Sequence, residues 1–276
     1  MKPLRFLHIP KTAGTTFTDV LKLQYFRQKK FEFSGNRVLD IKKFESLPES
    51  DREKIVLFYG HAPIVTGVNH ADNATIITFI REPINRVKSF CQHVSEGKSS
   101  CLIDDFPPKT FNLDTFLESG YGELSNLQTQ MLINHWGKSE SSISINNMPA
   151  SEAIDMALYN LFNRVSYFGL QEYFDESLIM FSSAMNWRLP LYSAGNKKDS
   201  RKLIQFESRH IERIAELNAI DIEVYKIAKE RFLSNINSAT FDNKKLKSFQ
   251  LMNIPASVFI KSGIKIMRLR KDLNRS

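Results

Sequence analysis

The chain has two cysteines in 276 residues, Cys91 and Cys101, too few for a disulfide framework. Its six histidines show no close ligand spacing, so no bound metal is expected. The Walker A pattern G-x-x-x-x-G-K-[ST] is missing, and so is a carboxylate pair placed for Mg²⁺. There is no internal repeat, and no segment resembles a nucleic-acid module. No signal peptide or membrane-length apolar run precedes the first motif, and a soluble cytoplasmic protein is the expectation. Net charge is also small over most of the chain. The net +8 is concentrated in Asp242 to Ser276, where nine Lys/Arg face two Asp, leaving +1 for the rest. What is present is an ordinary globular composition, 42% hydrophobic, in a length that suits one large α/β domain with helical additions.

Two stretches carry the chemistry. Leu4 to Ile9 is a short apolar run that reads as a buried strand, stopped by Pro10. The loop Lys11-Thr12-Ala13-Gly14-Thr15-Thr16 follows, then a helix over Phe17 to Phe26 with Phe17, Val20 and Leu21 as its apolar stripe. A strand, a small-residue loop and a helix N-terminus make an anion site, because the first-turn N–H groups and the helix dipole both favour phosphate or sulfate. Gly14 permits close backbone approach, Thr12, Thr15 and Thr16 add hydroxyl donors, and Lys11 adds a point charge. By itself the loop reads equally as a Thr-rich helix cap with a surface lysine.

The second stretch, Thr75 to Ile80, is another β-branched run. It ends in Arg81-Glu82-Pro83, with Pro83 at the first position of a helix running to Glu96. Arg86, Ser89 and His93 share one face of that helix. Arg81 falls at the carboxyl end of the strand, where open parallel sheets bind ligands. The two strand-to-helix crossovers thus bring anion-binding chemistry to one sheet edge, and the fold class is α/β with a central, mainly parallel sheet flanked by helices.

At these residues the chain resembles sulfotransferases that use 3′-phosphoadenosine 5′-phosphosulfate (PAPS). His8-Ile-Pro-Lys-Thr-Ala-Gly-Thr-Thr16 resembles their 5′-phosphosulfate loop. Arg81 to His93 resembles their 3′-phosphate motif, in which an Arg and a Ser eight residues later hold the 3′-phosphate; here these are Arg81 and Ser89. The nearest likeness is to the heparan sulfate 2-O-sulfotransferase-like group and its bacterial relatives. The resemblance implies a P-loop NTPase-like three-layer fold, PAPS as co-substrate without a metal, and donor binding by Lys11, Thr12, Gly14, Thr15, Thr16, Arg81 and Ser89. Golgi members carry an N-terminal membrane anchor, so a loop this close to residue 1 suggests a cytoplasmic, bacterial enzyme.

His61 follows the strand Ile55 to Tyr59 and lies at the same edge, within reach of general-base chemistry. From position alone a packed loop histidine is the better reading. The resemblance reverses that, because the group has its catalytic histidine in an HGH-type segment between the two cofactor motifs; Gly60-His61 matches, and Tyr59 replaces the first histidine. In the implied reaction a sulfuryl group passes from PAPS to an acceptor hydroxyl, with attacking and leaving oxygens in line. Lys11 contacts the leaving oxygen and His61 takes the proton. Arg86 either assists Arg81 or makes a structural ion pair. A P-loop-like kinase or nucleotide phosphotransferase, and a non-catalytic nucleotide-binding protein, are the alternatives.

Elsewhere, Lys29 to Lys54 reads as a helix-and-loop excursion, and His70 as a surface residue. Gly97 to Lys109 reads either as a mobile loop near the mouth of the site or as an ordinary surface connection. Helices are expected over Leu113 to Ser119, Leu124 to Trp136, Ser151 to Phe162 (capped by Ser151), Glu172 to Trp187, Glu207 to Leu217 and Asp221 to Phe232, with a fourth strand over Val165 to Leu170. Asn126, Gln128 and Gln130 read either as solvated helix residues, the favoured reading, or as side chains facing the cofactor or acceptor; Gln130 stands where bacterial relatives often have Arg. Cys91 reads as packed. Lys197, Lys198 and Arg201 lie in a basic loop that either closes over the nucleotide, as in related sulfotransferases, or is simply solvated. The catalytic domain is placed at residues 1–235. Residues 236–276 form a basic extension whose amphipathic segment, Pro255 to Lys271, suits a membrane surface, a partner or ordinary packing. The expected acceptor is a carbohydrate or glycolipid hydroxyl, and the expected location is cytoplasmic, peripheral to the inner membrane if that helix binds lipid.

Overall fold

The computed structural model describes residues 2–133, 145, 148–193 and 203–254. The basic loop carrying Lys197, Lys198 and Arg201, and the amphipathic segment from Pro255, lie outside the described residues.

Five strands form one parallel sheet in the order β2-β3-β1-β4-β5. They are β1 (Leu4–Leu7), β2 (Lys29–Phe33), β3 (Ile55–Gly60), β4 (Thr75–Ile80) and β5 (Tyr167–Leu170). Both faces of the sheet are covered, which is why β1, β3 and β4 are nearly continuous apolar runs. Alternate side chains go to opposite faces. Phe6, Tyr59, Ile77 and Phe79 pack with Phe17 and Val20 of α1 (Gly14–Gln24) and with Leu178 and Phe181, farther along the chain. Leu7, Ile76 and Ile80 pack on the other face with the helices described next.

The remaining helices complete the three layers. α2 (Arg37–Glu45), α3 (Glu49–Arg52) and α4 (Asn69–Asp72) surround the β2–β3 edge. α5 (Pro83–Ser95) packs with α6 (Leu113–Leu117) and α10 (Ser208–Leu217). α7 (Leu127–Leu132), α8 (Ala150–Asn163) and α11 (Ala219–Ile236) cover the second face, and α9 (Phe174–Ala184) joins α1 on the first. Phe241, Leu246 and Phe249 also pack into the cluster beneath α1.

Three expectations change. Lys29–Phe33 is a strand, not part of a helix-and-loop excursion. Its Lys-Lys-Phe-Glu-Phe pattern alternates as an edge strand does, burying Phe31 and Phe33 while its charges face water. Ser151 does not cap α8, whose N-cap is Pro149. His70 is partly buried: its Nε2 lies 3.1 Å from the Ile55 carbonyl and its ring meets Phe58 edge-on.

The chain leaves β1 toward the β2 edge and leaves β4 toward β5. The strand order therefore reverses between these two neighbours, where a crevice opens at their carboxyl ends.

Candidate active site

A cavity of about 1240 Å³ occupies this crevice. Lys11, Gly14, Thr15, Thr16, His61, Arg81 and Ser89 all line it. Thr12 does not: it is fully buried, and its hydroxyl donates to the Ile9 carbonyl at 2.9 Å, bracing the loop from within.

The loop after β1 is built to present backbone donors. Lys11 and Ala13 both have φ 69°, a left-handed conformation that costs non-glycine residues roughly 1 kcal/mol or more each. No side chain caps α1. Phe17 is the first residue of the helix whose N–H finds an acceptor, the Ala13 carbonyl at 3.1 Å; the N–H groups of Gly14, Thr15 and Thr16 have none among the described residues. Three orphan donors beside Lys11 at a helix N-terminus are the elements of a phosphate or sulfate cradle.

The close approach that Gly14 permits is occupied by His8. A Cβ at position 14 would sit 1.7 Å from His8 Nε2. The His8 ring also stacks on Phe6 (centroids 5.2 Å apart) and meets the His61 ring at 4.3 Å. Burial holds His8 well below its ordinary pKa, and the neighbouring His61 and Lys11 push the same way.

His61 is placed by two features of its turn. Gly60 has φ 118°, and a Cβ there would lie 2.2 Å from the Phe33 carbonyl oxygen, so only glycine allows β3 to end against β2. Beyond His61, buried Arg5 clamps the chain. Its Nη1 donates to the Ile64 carbonyl and to Asp72, each at 3.0 Å, and its Nη2 donates to the Pro63 carbonyl. Asp72 in turn accepts from Thr66 and Gly67. His61 Nδ1 lies 3.0 Å from the His8 carbonyl. A carbonyl can only accept, so Nδ1 carries the proton and the basic lone pair is on Nε2. Burial lowers the His61 pKa, against the raising effect of that hydrogen bond, so the ring is neutral at pH 7.

The second crossover works differently. The Glu82 carboxylate accepts from the N–H groups of Ile84 (3.0 Å) and Asn85 (2.7 Å), closing the N-terminus of α5. Anion binding there falls to side chains. Arg81 Nη1 donates to the Lys11 carbonyl at 3.1 Å, tying the two crossovers together, while its buried Nε has no hydrogen-bond partner among the described residues. The Arg81 backbone is held from both sides by Gln128, which accepts from its N–H and donates to its carbonyl, both at 2.8 Å.

Ser89 and His93 face the cavity but Arg86 does not. Arg86 is fully buried, donates to the Glu123 carbonyl at 2.6 Å and lies in the field of Asp221. Its role is structural. Gln128 and Gln130 are only 2% and 8% exposed, contrary to the solvated reading; Gln130 borders the cavity and Gln128 does not. Gln130 donates to the Ser125 carbonyl at 2.5 Å, and the buried Asp221 carboxylate accepts from the N–H groups of Gln128 and Thr129. Cys91 is buried, as expected, and burial raises its thiol to about 12. Among the described residues no group of three His, Cys, Asp or Glu is placed to hold a metal ion.

No protein-family model matches the chain. Sequence comparison finds heparan-sulfate 6-O-sulfotransferase 2 from Gallus gallus, 26% identical over 183 residues, which are 58% of this chain and 45% of that protein. The Homo sapiens protein of the same name is 27% identical over 183 residues, covering 58% of this chain and 30% of its own length. The chain is thus similar in sequence to these sulfotransferases. It matches less than half the length of these curated sulfotransferases, and they are 6-O enzymes, whereas the motifs resemble the 2-O-like group. Among solved structures, mouse sulfotransferase SULT7A1 complexed with PAP superimposes with TM-score 0.36 and 13% identity, over 78% of this chain and 63% of that one.

Sequence reading missed His8, Glu123 and Asp221, and the role of Gln128 as a brace for the Arg81 backbone. His8 stood at the head of the loop motif. Gln128 and Asp221 are 93 residues apart, and nothing local links them.

Proposed function

We propose that the protein transfers a sulfuryl group from PAPS to a carbohydrate or glycolipid hydroxyl. The observation that carries this is the meeting of two anion-binding crossovers in one cavity with a neutral histidine between them. The donor supplies an activated sulfuryl group and a phosphate leaving group. The residues fit it: the orphan N–H groups of Gly14, Thr15 and Thr16 with Lys11 form the 5′ cradle, and Arg81 and Ser89 stand on the adjacent crossover for the 3′-phosphate. The cavity exceeds the usual size for one small ligand, leaving room for the acceptor beside the nucleotide.

Lys11 and the α1 N-terminus stabilise charge that develops on the leaving oxygen. His61, with its lone pair on Nε2, takes the acceptor proton. The Nδ1–H bond to the His8 carbonyl holds the tautomer, and the Arg5–Asp72 clamp holds the backbone. The cytoplasmic and bacterial setting, and a lipid-surface role for the basic extension, belong to this proposal and rest on sequence alone.

The test is thermal unfolding with adenosine 3′,5′-bisphosphate, with AMP and with ATP–Mg²⁺. The bisphosphate alone stabilises, by about 2.7 kcal/mol at a hundredfold excess over Kd. His61→Ala keeps that shift and loses sulfuryl transfer. A shift with ATP–Mg²⁺ alone would turn the reading to a kinase.

A further inference from the structure

We infer that Glu123 contacts the acceptor, and that the acceptor presents an uncharged hydroxyl, not a carboxylate or sulfate, beside the group that is modified. This rests on the sulfuryl-transfer reading above and specifies its substrate.

Among the described residues that line the cavity, Glu123 is the sole carboxylate. A negative charge has no use to a donor that is anionic at both its 3′ and 5′ ends, so its presence needs another occupant. Its backbone is fixed with unusual care. The Glu123 carbonyl accepts from buried Arg86 at 2.6 Å. The carbonyls on either side, of Gly122 and Leu124, accept from Gln130 at 3.4 Å and from buried Asn218 at 2.7 Å. Three side chains thus pin one short turn. The carboxylate they hold makes no hydrogen bond or close ion pair with another described residue.

The cations around it are differently placed. Lys98 pairs with Glu96 at 2.5 Å, and Arg37 Nε donates to the Thr66 carbonyl at 3.2 Å. Arg86 and Lys11 attract the Glu123 carboxylate only at longer range, against burial that raises its pKa. On the same wall Tyr121 lines the cavity, its ring stacked on Phe90 at 5.9 Å. An aromatic face next to a carboxylate acceptor matches a sugar ring, with its apolar C–H face and its hydroxyl donors. A carboxylate or sulfate on the acceptor would meet Glu123 as a like charge in a part-buried cleft.

The experiment offers wild type, Glu123→Gln and Glu123→Ala a panel of immobilised oligosaccharides, neutral, uronate-bearing and sulfated, with radiosulfur-labelled PAPS. Bisphosphate-induced thermal shifts are measured in parallel. Wild type labels neutral sugars. Glu123→Gln loses about tenfold of that labelling, gains relative activity on uronate-bearing sugars, and keeps the bisphosphate shift. Preferential labelling of uronate-bearing or sulfated sugars by wild type overturns the inference. So does an unchanged acceptor ratio in Glu123→Gln, or loss of the bisphosphate shift in that variant, which would put Glu123 in the donor half. Absence of the shift in wild type would sink the donor reading itself, and is distinguishable from these.

Discussion

The two strand-to-helix crossovers at the crevice begin from similar sequence and end in opposite chemistry. After β1 the chain takes two left-handed residues, Lys11 and Ala13, and enters α1 with no side-chain cap. After β4 it enters α5 through Pro83, with Glu82 closing the first turn. One helix start is left open and offers backbone N–H groups; the other is sealed and offers side chains. A helix N-terminus becomes an anion site only where nothing of the chain's own satisfies it. The open start carries the strain and Lys11, the lysine proposed to act in catalysis. The sealed start supplies the stable wall on which Arg81 and Ser89 stand.

Lys11→Ala and Arg81→Ala break this comparison with the largest effects. In the proposed reaction Lys11 acts on charge that develops only in the transition state, so Lys11→Ala should lower kcat by roughly 10²–10³ while bisphosphate affinity changes less than tenfold. In the same proposal Arg81 holds the 3′-phosphate, a group that does not react. Arg81→Ala should weaken bisphosphate binding by about 10- to 100-fold, as expected for lost charge-assisted hydrogen bonds, and leave the rate at saturating donor closer to wild type. Reversed roles in calorimetric binding and steady-state kinetics would mean that the two crossovers have been misassigned.

Gly14→Ala attacks the open start alone. Its Cβ would collide with the His8 ring, itself held by Phe6 and His61. Overpacking of this kind costs roughly 1–3 kcal/mol, and the displaced ring would disturb both the cradle and His61. Chemical denaturation should show the loss, and the bisphosphate shift should shrink. A fully stable, fully binding Gly14→Ala would show that His8 can leave its place at little cost.

The crossovers themselves were legible because their signals are local: apolar runs, Pro10 and Pro83, small residues, and the Arg81–Ser89 spacing. β1, β3, β4 and β5 follow from continuous apolar runs. β2 was hidden because three of its five residues are charged, and an edge strand needs only Phe31 and Phe33 to be apolar. In the site, Lys11, Gly14, Thr15, Thr16, His61, Arg81 and Ser89 share the cavity as expected. Thr12 and Arg86 point elsewhere, and helical periodicity could not reveal that, since Arg86 shares a face with Ser89 and is swallowed by the Glu123 turn and the field of Asp221. Gln128 and Gln130 looked solvated because their partners, Arg81 and the 122–125 turn, meet them only in the fold.

Acid should expose the histidine pair that the open crossover keeps neutral. Both rings are held below the usual 6.5, chiefly by burial. The unfolded chain therefore binds protons first as pH falls. Stability is fully present above 6.5 and is lost as pH drops from there toward the folded-state values. Tm should decline between pH 7 and pH 5, and His8→Gln should flatten that decline. kcat/KM should show an acid limb below pH 6.5 as His61 gains its proton. A Tm that rises on acidification would contradict the buried neutral pair.

The sealed crossover has the smallest and most discriminating test, Glu82→Ala. The carboxylate satisfies two first-turn donors of α5, and losing a cap of this kind costs about 1 kcal/mol, read as a Tm fall of a few degrees. In the proposed site Arg81 and Ser89 bind through side chains, and the Arg81 backbone is still held by Gln128, so bisphosphate affinity should stay within about threefold of wild type. Uncapping also frees the N–H groups of Ile84 and Asn85, making the start of α5 resemble that of α1. Affinity that rose more than tenfold would show the α5 N-terminus can serve as a second backbone cradle, with Glu82 what keeps it shut. An unchanged affinity with lowered stability would separate the two crossovers as argued: one holds its ligand because it is uncapped, the other holds its shape because it is capped.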